Sequence, residues 1–159
     1  SNYTAEMMRA AQETAIIKSL PRYEVTQPLY NLYDRAAFEA LRPYLLENEV
    51  GAITYFSLAR GFLTGKYRSR DDLGQSARGG AVEQYLDEKG LAILGALDQV
   101  SQELGASPAE VALAWLVAQP GVSAPIASAT SVEQIRSLAR GVRLQLPESA
   151  NTLLTSAGA

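Results

Sequence analysis

Three short strand-like runs, 23–28, 52–56 and 122–126, are separated by stretches with helical spacing, and this alternation leaves few architectures open. Each parallel strand pair needs a crossover of roughly a dozen residues or more, usually a helix, so the pattern predicts a parallel sheet with helical cover. Thr4 to Leu20 reads as the first helix, with Thr4 as its cap and Met7, Met8, Ala11, Ala15 and Ile16 on its apolar face. After the strand 23–28, Phe38, Leu41, Leu45 and Leu46 follow Asp34 at helical spacings as far as Glu47, with Pro43 placed to kink or split the helix. Gly51 reads as the stop of that helix, before the β-branched and aromatic run Ala52 to Phe56.

Residues 57–80 differ in kind. They hold five glycines (Gly61, Gly65, Gly74, Gly79, Gly80) and five basic residues (Arg60, Lys66, Arg68, Arg70, Arg78), without sustained periodicity. A loop of that length is uncommon unless it is functional or disordered. Val82 to Leu104 then reads as a helix whose continuity Gly90 and Gly95 weaken. Ser107-Pro-Ala-Glu110 combines a hydroxyl cap, a proline at the first helical position and a capping-box glutamate, and it opens a helix to about Gln119. Ser131, with Gln134 three residues on, opens another through Leu138, and Glu148 to Leu154 is the last. Trp115 reads as core, while Asp71-Asp72 and Asp87-Glu88 read as solvated charge. A closed eight-stranded α/β barrel takes about 250 residues, so 159 residues with three strands supply part of one. No Gly-rich turn joins a first strand to a helix, which argues against a doubly wound dinucleotide fold.

Composition narrows the chemistry. Fourteen basic and seventeen acidic residues give a net charge of -3, which disfavours nucleic acid as a partner. The longest apolar run, Val111 to Ala118, falls far short of the roughly 18 residues of a membrane span. No charged leader precedes an apolar stretch, so no secretory signal is expected, and a chain without cysteine fits a reducing, cytoplasmic setting. With neither histidine nor cysteine, no metal-ligand constellation presents itself, and chemistry falls to carboxylates, tyrosines, lysines and backbone groups.

Five segments in order carry a resemblance: Ser1-Asn2-Tyr3, Gln27-Pro-Leu-Tyr-Asn-Leu32, Tyr55-Phe-Ser-Leu-Ala-Arg-Gly-Phe-Leu-Thr-Gly-Lys-Tyr67, Val111-Ala-Leu-Ala-Trp-Leu116, and Pro125-Ile-Ala-Ser-Ala-Thr-Ser131 followed by Glu133-Gln134. The chain resembles the C-terminal half of an aldo-keto reductase, in the subgroup with a long loop after the seventh barrel strand. The resemblance implies an α/β fold, a partial (β/α)8 TIM barrel comprising roughly the last three strands with their helices. It implies one unit over 1–159, in which 57–80 is a cofactor-covering loop and 147–159 a closing helix and tail.

It also implies an NADP(H)-dependent oxidoreductase that reduces aldehydes or ketones to alcohols. The catalytic tetrad of such enzymes precedes the Ser-Asn motif, so no catalytic residue is carried onto this chain, which alone is expected to be inactive. Ser1, Asn2 and Gln27 would hold the nicotinamide carboxamide, and Tyr55 would stack on the ring. Ser57, Leu58, Arg60, Gly61 and Lys66 would lie over the pyrophosphate, with Phe56 standing where the family commonly has serine. Ser128, Ala129 and Thr130 would line the adenosine phosphate site, with Gln134 near the adenine ribose and Arg136 adding charge. Tyr55 and Lys66 belong by resemblance to the cofactor side rather than to proton transfer.

Read from the residues alone, the same positions stay open to plainer roles: a helix-cap region for Ser1 and Asn2, a polar strand end for Gln27, a core aromatic for Tyr55. The basic loop can equally be solvated, and Ser131 and Arg136 can be a capped helix with a surface arginine. The implied partners are a nicotinamide cofactor and a small carbonyl substrate, with neither nucleic acid nor membrane. The 57–80 loop is expected to order with cofactor. The alternative function is a non-catalytic half-barrel structural or interaction module that self-associates through its open sheet.

Overall fold

Thr4 sets the first boundary. Its hydroxyl accepts the Met7 amide at 3.2 Å, and α1 runs from Ala5–Ile17. The helix stops before Leu20 because Ser19 adopts a left-handed φ of 52°, and the Leu20 and Ser19 amides turn back to the Ala15 and Ile16 carbonyls. α1 buries Met8, Gln12 and Ala15, leaving Met7 and Ile16 exposed, so the buried stripe is narrower than the apolar pattern suggested. Gln12 is buried for a reason: its amide group donates to the Tyr23 carbonyl at 2.7 Å and accepts the Tyr23 amide at 3.0 Å. That exchange pins the chain as it enters β1 (Val25–Thr26).

The computed structural model describes residues 1–75 and 79–159; Arg78, counted among the basic residues of the long loop, lies outside them. Beyond β1 come α2 (Ala36–Glu47), β2 (Gly51–Thr54), α3 (Glu88–Leu104), α4 (Pro108–Val117), β3 (Val122–Pro125), α5 (Val132–Gly141) and α6 (Glu148–Ala157). The strands pair in parallel in the order β1-β2-β3, with Val25 opposite Gly51 and Ala52 opposite Val122. The register slips between Ala52 and Ile53, so that Ile53 faces Ala124. This is an α/β fold with an open three-stranded sheet, consistent with part of a (β/α)8 barrel.

Several sequence expectations shift. Gly51 does not end α2: Glu49, at φ 53°, does so, and the Val50 amide reaches back to the Leu45 carbonyl. Gly51 instead opens β2, where a Cβ would stand 2.5 Å from the Ser123 hydroxyl. Pro43 lies inside α2, on its exposed side, without splitting it. Residues 82–104 are not one helix. A short 3-10 turn at Glu83–Tyr85 comes first, and Asp87 then caps α3 by accepting the Gly90 amide at 2.8 Å. Gly90 is required there, since a Cβ would meet the Tyr85 carbonyl.

The long loop also contains structure: 3-10 turns at Ala59–Thr64, Arg70–Gln75 and Gly79–Ala81, with Phe62, Leu63 and Tyr67 fully buried. One carboxylate within it and one just after it are engaged. Asp72 is held below the ordinary carboxylate range by the Arg68 and Ser69 amides, and Asp87 by the Gly90 amide and the Tyr33 hydroxyl. Neither is merely solvated charge.

α4 is the hub. It is apolar around its circumference and buried from Glu110 to Leu116, as a helix enclosed on all sides must be. Trp115 is fully buried against Tyr30, whose ring centre is 5.5 Å away, and its indole N–H reaches the Thr155 hydroxyl of α6 at 2.9 Å. Glu110 closes the expected capping box with Ser107 and reaches further, accepting the Ser137 hydroxyl at 2.9 Å and the Arg140 guanidinium at 2.7 Å. The same carboxylate thus starts α4 and fastens α5 onto it.

Burial works to raise the Glu110 carboxyl, but the Ser107 amide, the Ser137 hydroxyl and Arg140 outweigh it and hold the group below the ordinary glutamate value of 4.5. A depressed value in the folded state stabilises above the unfolded value and is lost as pH falls through the folded one. Urea unfolding between pH 7 and pH 3 should show stability falling in acid, and Glu110→Gln should flatten that fall. Glu110→Ala at pH 7 should cost about 2 kcal/mol.

Candidate functional site

Parallel pairing puts the carboxyl ends of β1, β2 and β3 at one end of the sheet, the end at which barrel enzymes place function. At the β1 exit, the Gln27 carbonyl accepts both the Ser1 hydroxyl at 2.9 Å and the Asn2 amide at 3.3 Å. Asn2 takes a left-handed φ of 57°, which asparagine tolerates. At the β2 exit, the Tyr55 amide donates to the Pro28 carbonyl at 3.0 Å, and the Tyr55 hydroxyl donates to Asn2 Oδ1 at 2.9 Å. Ser1, Asn2, Gln27 and Tyr55 are therefore brought together, although 53 positions separate Asn2 from Tyr55. Among the described residues the Gln27 side-chain amide has no protein partner, and Gln27 is exposed.

Next comes a run of unusual backbone. Phe56, Ala59 and Arg60 have φ values of 51°, 47° and 58°, and Gly61 reaches 102°, where L side chains are strained. The Ala59, Gly61 and Leu63 amides close turns onto the Phe56 and Leu58 carbonyls. Those of Ser57 and Leu58 have no acceptor among the described residues. Ser57 itself is buried, and its hydroxyl is spent on the Thr54 carbonyl at 3.2 Å. Phe56, which stands in the place of a family serine, is half-exposed under the Arg60 guanidinium at 4.1 Å.

The basic residues of the loop now separate into two groups. Arg68 makes a two-pronged pair with Asp98 at 2.7 Å, and Arg70 meets Glu83 at 3.2 Å. Arg60 and Lys66, both exposed, form no ion pair among the described residues and face aromatic rings, Lys66 lying 4.9 Å from the Tyr67 ring centre, while Arg60 also reaches the Tyr85 hydroxyl. Backbone amides without acceptors beside two unneutralised cations suit an anion. An exposed amide side chain next to a tyrosine ring suits a planar carboxamide. The residues present thus fit a nicotinamide dinucleotide.

At the β3 exit, the Ile126 amide donates to the Thr54 carbonyl at 2.7 Å, which keeps Ser128, Ala129 and Thr130 one strand away from Tyr55. Ser131 caps α5 through the Gln134 amide, as its spacing predicts. The Gln134 side chain, however, accepts the Thr130 amide and hydroxyl at 2.7 and 3.2 Å, one residue before the cap. Arg136 is exposed and lines a shallow groove of about 440 Å³ with Arg140 and Arg143.

Three tyrosines are shifted away from proton donation near neutrality. Burial pushes Tyr30 up to about 12, against the pull of Arg42; burial and Asp87 push Tyr33 up to about 12; burial and Asp34 do the same for Tyr85. A phenol that donates a proton near neutrality needs the opposite shift. Tyr55 and Lys66 are engaged with Asn2 and with Tyr67, respectively. Among the described residues no group of three or more acidic side chains is placed to hold a metal ion. Nor is any helix among them long and apolar enough to cross a membrane.

Sequence reading missed Asn31, which is fully buried and donates to the Phe56 carbonyl at 3.0 Å. Its signal was a lone amide in the otherwise apolar run Pro28 to Leu32.

The profile of the aldo/keto reductase family matches residues 1–159. The chain is 33% identical over 143 residues to a probable voltage-gated potassium channel subunit beta of Oryza sativa, covering 85% of this chain and 43% of that protein. It is 34% identical over 118 residues to L-glyceraldehyde 3-phosphate reductase of Escherichia coli, covering 70% and 34%. It is 28% identical over 150 residues to the aldo-keto reductase YhdN of Bacillus subtilis, covering 87% and 41%. The chain spans less than half the length of these curated relatives. With the family profile matching along its whole length, the chain belongs to the aldo/keto reductase family.

Proposed function

We propose that residues 1–159 form the cofactor-holding, C-terminal half of an NADP(H)-dependent oxidoreductase that reduces aldehydes or ketones to alcohols. The observation that carries this reading is the hydrogen-bonded group Ser1, Asn2, Gln27 and Tyr55 at the carboxyl end of the sheet. Asn2 and Gln27 offer donors and acceptors for a carboxamide, and Tyr55 offers a ring face that fixes which side of a nicotinamide is presented. The Ser57 and Leu58 amides, the flexible backbone of Gly61 and the charges of Arg60 and Lys66 receive the pyrophosphate. Ser57 serves through its amide, because its hydroxyl is occupied. Ser128, Ala129, Thr130 and Gln134 take the adenosine side, with Arg136 set for the ribose phosphate that distinguishes NADP from NAD.

When bound, the nicotinamide supplies the hydride. This chain's residues orient it and neutralise its phosphates, and the acid that protonates the developing alkoxide comes from outside residues 1–159. The L-glyceraldehyde 3-phosphate reductase among the relatives acts on an aldehyde by its name, which supports a carbonyl substrate. The absence of cysteine supports a cytoplasmic setting.

A second reading has its own support. Val25 is 46% exposed on the uncovered face of the sheet, and Ile16, Ile17, Val132 and Ile135 are exposed on the outer helices. A half-barrel whose sheet edges are unpaired among the described residues can self-associate. Sedimentation velocity would show a concentration-dependent dimer under this reading.

NADPH fluorescence titration tests the first reading. The wild-type protein should enhance and saturate, Tyr55→Ala should weaken binding at least tenfold (about 1.4 kcal/mol), and residues 1–159 alone should turn over no aldehyde. Arg136→Gln should weaken NADPH binding while leaving NADH binding as it was. A titration that stays flat to millimolar NADPH would count against the reading.

A further inference from the structure

Behind the strand ends, a polar network centred on the buried Asn31 and Tyr85 joins two distant parts of the chain. Every hydrogen-bonding position of the Asn31 carboxamide is used. Oδ1 accepts the Tyr33 and Asp34 amides at 2.8 and 2.9 Å; Nδ2 donates to Asp34 Oδ2 and to the Phe56 carbonyl, each at 3.0 Å. Asp34 Oδ2 also accepts the Tyr85 hydroxyl at 3.1 Å. Tyr85 stacks on Phe62, from within the long loop, at 5.5 Å, and meets Tyr33 edge-on at 4.9 Å. The Tyr33 hydroxyl then donates at 2.7 Å to Asp87, the cap of α3.

The bond to the Phe56 carbonyl falls where the backbone is least comfortable. Phe56, Ala59 and Arg60 hold left-handed φ values that non-glycine residues keep only when their surroundings over-determine them. On one side the Arg60 guanidinium covers the Phe56 ring; on the other, Asn31 grips the Phe56 carbonyl. The run between Phe56 and Asp87 is therefore tied at both ends to one loop, 31–34.

We infer that Asn31, Asp34 and Tyr85 are positioning residues that hold the Phe56–Gly61 turn in its left-handed form and so set the Ser57 and Leu58 amides and Arg60 for the cofactor phosphates. The last clause rests on the function proposed above; the holding of the turn does not. None of the three is a catalytic residue. They act through the turn, and a role confined to general stability would move different observables.

Hydrogen–deuterium exchange without cofactor, read at the Ala59, Gly61 and Leu63 amides, tests the network directly. Tyr85→Phe keeps the stacking on Phe62 and removes one hydroxyl, and Asn31→Asp removes the donor to Phe56. Both should speed exchange at these amides at least tenfold while Val111 to Leu116 in α4 stay protected. NADPH titration of the folded Tyr85→Phe variant should show at least fivefold weaker binding at an unchanged thermal midpoint. Unchanged exchange in the turn, or an equal rise in α4, overturns the inference, as does a loosened turn with wild-type NADPH affinity. Faster exchange confined to the turn in a protein whose wild type binds no NADPH would remove the cofactor reading and leave the turn-holding network standing.

Discussion

Three strands held in parallel govern the arrangement of everything else. Parallel neighbours cannot be joined by a tight turn, so each return must cross one face of the sheet, and the helices accumulate there. Thr26, Ala52 and Thr54 point into that helical layer and are buried, while Val25, Ile53 and Ser123 belong to the opposite face. The same constraint collects the three strand exits at one end. Gln27, Tyr55 and Ser128 follow three different strands yet leave the same end of the sheet because of strand direction, although about a hundred positions separate the first from the last. The register slip between Ala52 and Ile53 moves β3 relative to β2 just before that end, so it also adjusts where Ser128 to Thr130 emerge.

Rigidity beneath the exits comes from side chains that perform two local tasks at once. Glu110 caps α4 and binds α5; Asp87 caps α3 and receives Tyr33; Gln12 closes α1 onto the start of β1. Each is one polar group that serves a helix and a neighbouring element at once. Trp115 serves the apolar counterpart, with Tyr30 against it, Phe38 in turn against Tyr30, and the Thr155 hydroxyl taking its indole N–H. The exits are thereby fixed from behind, while their front remains open and polar.

Sequence legibility follows the range of the interaction involved. Ser107 and Glu110 act within one helical turn, and their capping box is written in four consecutive residues. Trp115 lies in an apolar run that can only be core. Gly51 misled because it opens β2, beside the Ser123 hydroxyl 72 positions away, whereas the stop of α2 falls on Glu49, a residue with no such propensity. Residues 57–75 looked featureless because 3-10 turns have no apolar period and because Phe62, Leu63 and Tyr67 are buried singly by distant elements. The cluster of Ser1, Asn2, Gln27 and Tyr55 came from family resemblance, since nothing local to any one of them signals the other three. Asn31 was invisible as a functional residue because its partner, Phe56, adopts a backbone conformation that composition does not predict.

Charge and backbone together explain why the β2 exit carries the binding reading further than the basic count alone. A solvated basic loop would leave its cations equivalent, yet Arg68 and Arg70 are committed to Asp98 and Glu83, on the side of the loop toward α3. Arg60 and Lys66 face aromatic rings, Arg60 also reaching the Tyr85 hydroxyl, near two amides that lack acceptors among the described residues. A ring face does not neutralise a cation, so positive potential survives beside amide dipoles of the same sense. Keeping that potential in place requires a turn that L residues resist, and the chain invests a buried asparagine, an aspartate and a tyrosine in holding it. Stability alone would be better served by glycine at Phe56 and an apolar contact at Asn31. The polar solution is intelligible when the position of the Ser57 and Leu58 amides is itself what the fold preserves.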